Sequence, residues 1–517
     1  MEGYQYLTGQ QGLNPPTDLV SPLSPFSTLP SPDPTLLPAW DQVAWRAYIQ
    51  AALCFSFDGE KAAAAAHIKA SLVRLGRQRR DFAGNLKADP HNGRIQLEKH
   101  SNDEITFEVV DHGDKFPYTY AQLKAKDFAP SAFVHPDFAL DGALAPFRLV
   151  PVCQVRASFI QGGLILWVYL HHTFADGDAL HMFLDCFSAQ TRGTEVDYPQ
   201  NINFEPASSS SSSCSTVEEL LKDCPEYAIK APSGPADAHS PAALGTPLAH
   251  MTTNRPSTCQ MAQKCNMFIF RHDRLDLLRS LIEAIQPAGQ KKRPSSYVAL
   301  AALTWAHATR ARTSTEEEEE APGAAARADP SRPARLTKCV NWKARAFREE
   351  MDREGGYFGV AVAQPFSQLP AGEVVAPCYD FNAAVPLVRA IEETIASVDD
   401  DFVARRTAAL RAAAAGDPRA VVLDIDPCDA RHLAFNTWRF IGADAEWGIS
   451  GTIGAAAVKA DAVRPVRGQL LMGGHALIMP ARRDSGVHEL AVTLPERAME
   501  ALMSDHDYMR WVDRVIE

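Results

Sequence analysis

The chain is 517 residues long, 46% hydrophobic and 22% charged, with 51 Lys and Arg against 63 Asp and Glu for a formal net charge of −12. This is a globular composition with room for about three domains or two large ones, which excludes global disorder, a collagen repeat and a small disulfide scaffold. The acidic balance argues against nucleic acid as a partner, because a phosphate backbone needs a basic surface; a local basic pocket for a phosphorylated cosubstrate stays open.

The first forty residues are rich in Pro and Ser and predict an extended lead-in. The N-terminus is polar and carries no basic residue ahead of an apolar run, unlike a signal peptide. A helix is predicted over Gly59 to Leu75, with Ala62 to Ala66 supplying propensity. Strands are predicted around Ile105 to Val110 and Phe147 to Phe159. His135-Pro136-Asp137 has the spacing of a metal-binding facial triad, but Pro136 stiffens it and a loop role is favoured. Leu164 to Leu170 is apolar on consecutive residues, which predicts a strand buried on both faces. It is far shorter than the ~20 residues of a membrane span, so no membrane insertion is expected.

Ser208 to Ser213 is an unbroken serine run, and prolines continue to Pro256. Residues 207–256 read as a flexible crossover linker between an N-terminal domain, 1–206, and a C-terminal domain, 257–517. The second half opens with a predicted strand, Met267 to Arg271, and a helix, Asp273 to Ile285. A further helix, Ser295 to Arg312, carries Tyr297, Leu300, Ala301, Trp305 and Ala308 at helical spacing. Residues 313–335, with Glu316 to Glu320, read as a solvated low-complexity insert. The ten cysteines form no C-x-x-C pair, and Cys54 and Cys186 stand in apolar company. Buried free thiols in a reducing, cytoplasmic compartment are expected.

The sharpest chemistry lies in His171-His172-Thr173-Phe174-Ala175-Asp176-Gly177, directly after the buried strand. Leu180, Phe183, Leu184 and Phe187 then recur at helical spacing, with Asp176 or Asp178 as helix cap. A histidine at such a strand–turn–helix corner can project into a cleft, while Asp176 folds back to hold the turn. Gly177 permits close backbone approach. A neutral imidazole titrating near ~6.5 can take a proton from an alcohol or amine. A structural histidine pair capping the strand end is the bland alternative. No third metal ligand stands nearby, so no metal is expected. The G-x-S-x-G elbow, the P-loop and the G-x-G-x-x-G loop are all missing.

The H-H-x-x-x-D-G motif resembles that of the BAHD acyltransferases and their relatives, the nonribosomal condensation domains and chloramphenicol acetyltransferase. Further segments are similar to the family's motifs. Asn436-Thr437-Trp438-Arg439 resembles T-S-W, and Asp444-Ala445-Glu446-Trp447-Gly448 resembles D-F-G-W-G. Asn341-Trp342-Lys343-Ala344-Arg345 with Tyr357-Phe358-Gly359 resembles the basic strand and Y-F-G-N. Ala302-Leu303-Thr304-Trp305 resembles the A-x-x-W helix. The chain departs at Ala445, Glu446, Val360 and Lys343, where the family has Phe, Gly, Asn and Arg. The spacing and Ser/Pro-rich loops look most like the fungal branch, similar to trichothecene O-acetyltransferases.

The resemblance implies an α/β fold of two chloramphenicol-acetyltransferase-like domains, each a mixed sheet flanked by helices, with a channel between them. It implies His172 as general base and Asp176 as its structural support, paired with Arg345 or Lys343, with His171 and Gly177 structural at the site. Thr437 or Trp447 is the candidate oxyanion donor, and Asp444, Trp447 and Gly448 form an architectural second motif. Acetyl-CoA, or another acyl-CoA, is implied as cosubstrate with no resident cofactor. Three cations, Lys291 to Arg293, precede Ser295 and Ser296 at a helix start that suits a phosphate. Lys292, Arg293, Ser295 and Ser296 are therefore candidate CoA contacts, against the reading of an exposed basic loop. The expected reaction is acyl transfer, foremost acetyl, to a hydroxyl of a small secondary metabolite by a monomer. N-acylation, a condensation-type enzyme using carrier-bound thioesters, and an inactive binding protein are the alternatives.

Overall fold

The computed structural model describes residues 34–113, 115–133, 138, 140, 142–144, 148–207, 216–229, 262–289, 291–319, 329–452, 457–465 and 473–517. Residues 1–33 of the lead-in, His135-Pro136-Asp137 and the Ser208–Ser213 run lie outside them. A short helix, α1 (Ala39–Val43), enters strand β1 (Tyr48–Ser56). Helix α2 (Lys61–Gln78) starts where the Glu60 carboxylate accepts the Ala63 N–H at 3.1 Å. It lies slightly C-terminal of the predicted span, because this cap fixes the first turn.

Strands β2 (Thr106–Gly113), β3 (Cys153–Ile160) and β4 (Gly163–His171) follow, then helix α3 (Gly177–Thr191). The single strand expected over Phe147 to Phe159 is two. Leu149–Pro151 joins a small separate sheet, and Pro151, lacking an N–H, ends it before β3 begins. β4 is buried at every position, as its unbroken apolar run requires. Trp167 stacks on Phe138 at 4.3 Å, and the Tyr169 hydroxyl donates to the Phe138 carbonyl at 2.9 Å. Each such fully buried large side chain contributes roughly 1.5–3 kcal/mol.

In the second half come strand β5 (Tyr227–Ile229), strand β6 (Gln263–Arg271), and helices α4 (His272–Ile285) and α5 (Ser296–Glu319). Strands β7 (Pro333–Lys338) and β8 (Phe366–Pro370) precede helices α6 (Ala384–Ala396) and α7 (Asp400–Ala415). Strands β9 (Val421–Leu423), β10 (His432–Thr437), β11 (Ala462–Pro465), β12 (His475–Ile478) and β13 (Val487–Pro495) complete most of the core. Helix α8 (Glu496–Met503) and strand β14 (Arg514–Ile516) end the chain. The expected 313–335 insert is shorter on both sides: α5 runs on to Glu319, and β7 begins at Pro333.

Two mixed sheets organise the molecule. The first has order β11-β1-β4-β3-β2, with β2 and β3 parallel. The second has order β8-β7-β10-β12-β13-β6-β14, with β7-β10 and β10-β12 parallel. β11 comes from the C-terminal half yet pairs with β1, Ala462 opposite Cys54, so the halves are interlocked. Trp305 of α5 and Leu502 of α8 are fully buried in the core over the second sheet. No helix among the described residues is long and apolar enough to cross a membrane. Among the described residues seven cysteines are free thiols, five of them buried, but Cys428 is disulfide-bonded, against the expectation of free thiols.

The crossover segment differs from a plain linker. Thr216 and Glu219 form a capping box on a helix at Val217–Leu221, and β5 pairs with β9. Beside β5, the buried Glu226 carboxylate takes a bidentate pair from Arg406 of α7 at 2.7 and 3.0 Å. Removing one partner strands a buried charge. Glu226→Gln should therefore cost about 3–5 kcal/mol of stability, seen as a lower urea midpoint. An unchanged midpoint would show that this segment is a tether only.

Candidate active site

β4 ends at His171, and this residue and the next, His172, set the site. The main chain of His172 stays tied to the sheet, its N–H donating to the Ala47 carbonyl at 2.9 Å. The His171 ring turns into the protein: Nδ1 lies 2.8 Å from the Thr173 hydroxyl and Nε2 2.9 Å from the Gly142 carbonyl. Burial pushes its imidazole down to about 3, so it stays neutral and structural.

The His172 ring faces the other way and lines a cavity of about 470 Å³. Trp45 packs edge-on against it, with ring centroids 6.1 Å apart. Its Nδ1 is buried without a hydrogen-bond partner among the described residues, so Nε2 is the nitrogen left to the cavity. Burial holds this imidazole below its ordinary value, while its own main chain and Asp176 pull the other way. A neutral imidazole with an accessible Nε2 is what a general base requires.

Asp176 is fully buried and points away from the cavity. Oδ1 accepts the Ala179 N–H at 2.8 Å, so of the two candidate caps of α3, Asp176 and Asp178, it is Asp176 that caps it. Oδ2 accepts the Ala361 N–H at 2.9 Å, across to the second half. Lys343 Nζ lies 3.9 Å from Asp176 and 3.3 Å from Asp178. Of the two cations expected near Asp176, Lys343 occupies the place, and Arg345 is exposed. Gly177 lines the cavity, and a Cβ there would press on Ile441 at 3.3 Å.

Both halves build the cavity. His172, Gly177, Asp178 and His181 come from the end of β4 and from α3; Val360, Asn436, Thr437 and His475 come from beyond the crossover. Thr437 is exposed there, and its hydroxyl oxygen accepts the Arg439 N–H at 3.2 Å. A hydroxyl that accepts one bond can still donate another. Trp447 does not fit the same role. It is fully buried, wedged edge-on between Phe55 at 5.9 Å and Phe187 at 5.1 Å, and its indole lies off the cavity.

The segment around Trp447 is architectural instead. Asp444 takes Lys459 Nζ at 2.9 Å and the Arg483 N–H at 3.2 Å. The Gly448 N–H donates to the Thr191 hydroxyl at 3.0 Å, and a Cβ at Gly448 would strike the Thr191 carbonyl. Ala445 is buried and Glu446 exposed, so these two of the four departures from the family pattern fall in the packing of this strap, off the cavity.

Lys292, Arg293, Ser295 and Ser296 stand at the start of α5, off the cavity wall. Lys292 pairs with Glu392 at 3.4 Å and Arg293 with Asp276 at 3.2 Å, while the Ser295 hydroxyl accepts the Val298 N–H. The next residue, Tyr297, donates to the carbonyl of cavity-lining Phe435 at 3.1 Å, so this helix start adjoins the cavity.

Sequence reasoning missed Trp45, His181 and His475 in the cavity, and Asp41 behind it. Asp41 is buried in α1, and the Tyr357 hydroxyl donates to it at 2.6 Å. Tyr357 folds over Gly359, where a Cβ would strike that hydroxyl, which explains the Y-F-G spacing.

A family model described as Transferase family matches residues 25–509. The acyltransferase easC of Emericella nidulans is 22% identical over 293 residues, 54% of this chain and 59% of that protein. The acyltransferase cm3D of Cordyceps militaris is 28% identical over 303 residues, 53% of this chain and 59% of that protein. The chain thus spans about three-fifths of the length of each of these relatives. F. graminearum TRI101 complexed with coenzyme A and deoxynivalenol has a similar structure, TM-score 0.70 at 18% identity, covering 94% of this chain and 100% of that one. Vinorine synthase follows at TM-score 0.56 and 16% identity, covering 95% of each chain. At such identities the likeness is one of fold. With the family model spanning nearly its whole length, the chain belongs to the Transferase family, the BAHD-type acyltransferases its motifs resemble.

Proposed function

We propose that the protein transfers an acyl group, foremost acetyl, from acyl-CoA to a hydroxyl of a small secondary metabolite. One observation carries the reading: a neutral, partly exposed His172 in a cavity built by both halves, with Asp176 turned away to hold its turn. The coenzyme A bound in the structurally similar TRI101 and the acyltransferase names of the relatives support it.

In the proposed reaction both substrates meet in the cavity. His172 takes the proton of the acceptor hydroxyl at Nε2, and the oxygen attacks the thioester carbonyl. The tetrahedral oxyanion needs a donor, and the free proton of Thr437 serves. Collapse expels the CoA sulfur, to which His172 returns the proton. No covalent acyl-enzyme is required. Lys292 and Arg293, with the N–H groups at the start of α5 beside Ser295 and Ser296, meet CoA phosphate. The acidic chain acts as a cytoplasmic monomer in this reading, with no nucleic acid or membrane as partner.

A thiol-release assay with acetyl-CoA and an extract of the source organism, read also by mass spectrometry for acetyl gain, tests this. His172→Ala should lower kcat by roughly 10²–10⁴, the usual worth of a positioned base. Turnover unaffected by that change contradicts the mechanism. Wild-type turnover only with a carrier-bound thioester would favour the condensation-type enzyme. Absence of turnover with either donor would favour a binding protein.

The CoA contacts have their own signature. Lys292→Ala and Arg293→Ala should each raise the KM for acetyl-CoA about 2- to 5-fold, the worth of an exposed ion pair, with kcat unchanged. Salt should erase the difference. Equal KM at low salt would place CoA elsewhere.

A further inference from the structure

We propose that Asp41, outside the family-like motifs, is a positioning residue that holds Asp176, and through it His172, by fixing the segment Tyr357 to Ala361. The inference rests on the reading of His172 and Asp176 given above.

Asp41 sits on α1, about 1% exposed, at the far end of the chain from the groups it touches. Its Oδ2 takes the Tyr357 hydroxyl at 2.6 Å, and its Oδ1 takes the Val360 N–H at 3.3 Å. The very next N–H, that of Ala361, goes to Asp176 at 2.9 Å. Two buried carboxylates from separate elements therefore grip adjacent amides of one segment. Val360 between them lines the cavity.

The rest of the segment is packed to transmit this grip. The Tyr357 ring stacks on Trp342 at 6.2 Å and 16°, and Trp342 in turn meets Trp40 of α1 at 5.6 Å. The Trp342 N–H donates to the Ala361 carbonyl at 2.9 Å. Lys343, the cation nearest Asp176, lies over the Tyr357 ring at 5.5 Å. Burial raises the Asp41 carboxyl well above the usual range, and the nearby Asp176 adds to the rise.

Loss of the Asp41 carboxyl leaves the Tyr357 hydroxyl and the Val360 amide buried and unpaired, and a buried network missing one member relaxes as a unit. The Ala361 amide then moves off Asp176. α3 loses one anchor of its N-terminal turn, and the His172 ring loses its fixed direction. Asp41 touches no substrate, so ground-state binding is spared.

The test compares full-length wild type, Asp41→Ala, Asp41→Asn and Tyr357→Phe. Asp41→Ala should lower kcat about tenfold or more with KM for both substrates changed by less than about threefold, the mark of lost orientation rather than lost binding. Asp41→Asn can still accept from Val360 and donate to the Tyr357 oxygen, so it should keep kcat within about threefold. Hydrogen exchange in peptides covering residues 358–363 should speed up in Asp41→Ala and not in Asp41→Asn, whether or not a substrate is known. If Asp41→Ala fails to fold, Tyr357→Phe removes a single bond and should show the same pattern at smaller size. Wild-type kcat and unchanged exchange in Asp41→Ala, or equal damage from Asn and Ala, would overturn the inference. A wild type without acyl transfer would sink the proposed function alone, because the exchange measurement still decides the role of Asp41.

Discussion

A carboxylate with no exposed surface holds the site together. Asp176 lies at the corner between a strand buried on both faces and an amphipathic helix. It takes one amide from its own helix and one from the opposite half of the chain, with Lys343 at the edge of contact. A buried charge is tolerated only when it is hydrogen-bonded and compensated, and Asp176 has both. Its reach across the halves makes the turn after β4 a junction, and the cavity forms where they meet.

The same corner explains why two adjacent histidines have different fates. Successive residues at a strand end turn to opposite sides. His171 goes inward, where Thr173 and Gly142 satisfy both ring nitrogens. His172 goes outward to the cavity, where only Nδ1 is shut off. Inward burial leaves His171 neutral well below physiological pH, whereas His172 keeps an open nitrogen for chemistry.

Local features were legible in the sequence because they depend on neighbours in the chain. The consecutive apolar residues of β4 and the helix after it follow from spacing alone, which also narrows its cap to Asp176 or Asp178. The role of Lys343 over Arg345 was not legible, since the two stand two residues apart in one basic segment, a turn after Asn341 in the fold, and only the fold chooses between them. Trp447 stood open between a donor and a packed indole, because an indole reads alike in a core and at a cavity. Asp41 carried no signal. Its partner Tyr357 stands in a visible motif, but the contact joins distant parts of the chain. The crossover was read as a linker on the strength of its serines and prolines, and its ordered part depends on a buried pair, Glu226 and Arg406, that composition does not reveal.

The central claim is that His172 works as a neutral base, and the pH dependence of kcat/KM tests it most directly. The free-enzyme limb reports the base itself. Burial disfavours the charged imidazole and puts its pKa in the fold below the ordinary value of about 6.5. The rate should therefore be full at neutral pH and fall only as acid protonates the ring, with a midpoint below 6.5. A midpoint above that value, or a rate that grows as the imidazole gains its proton, would contradict the account.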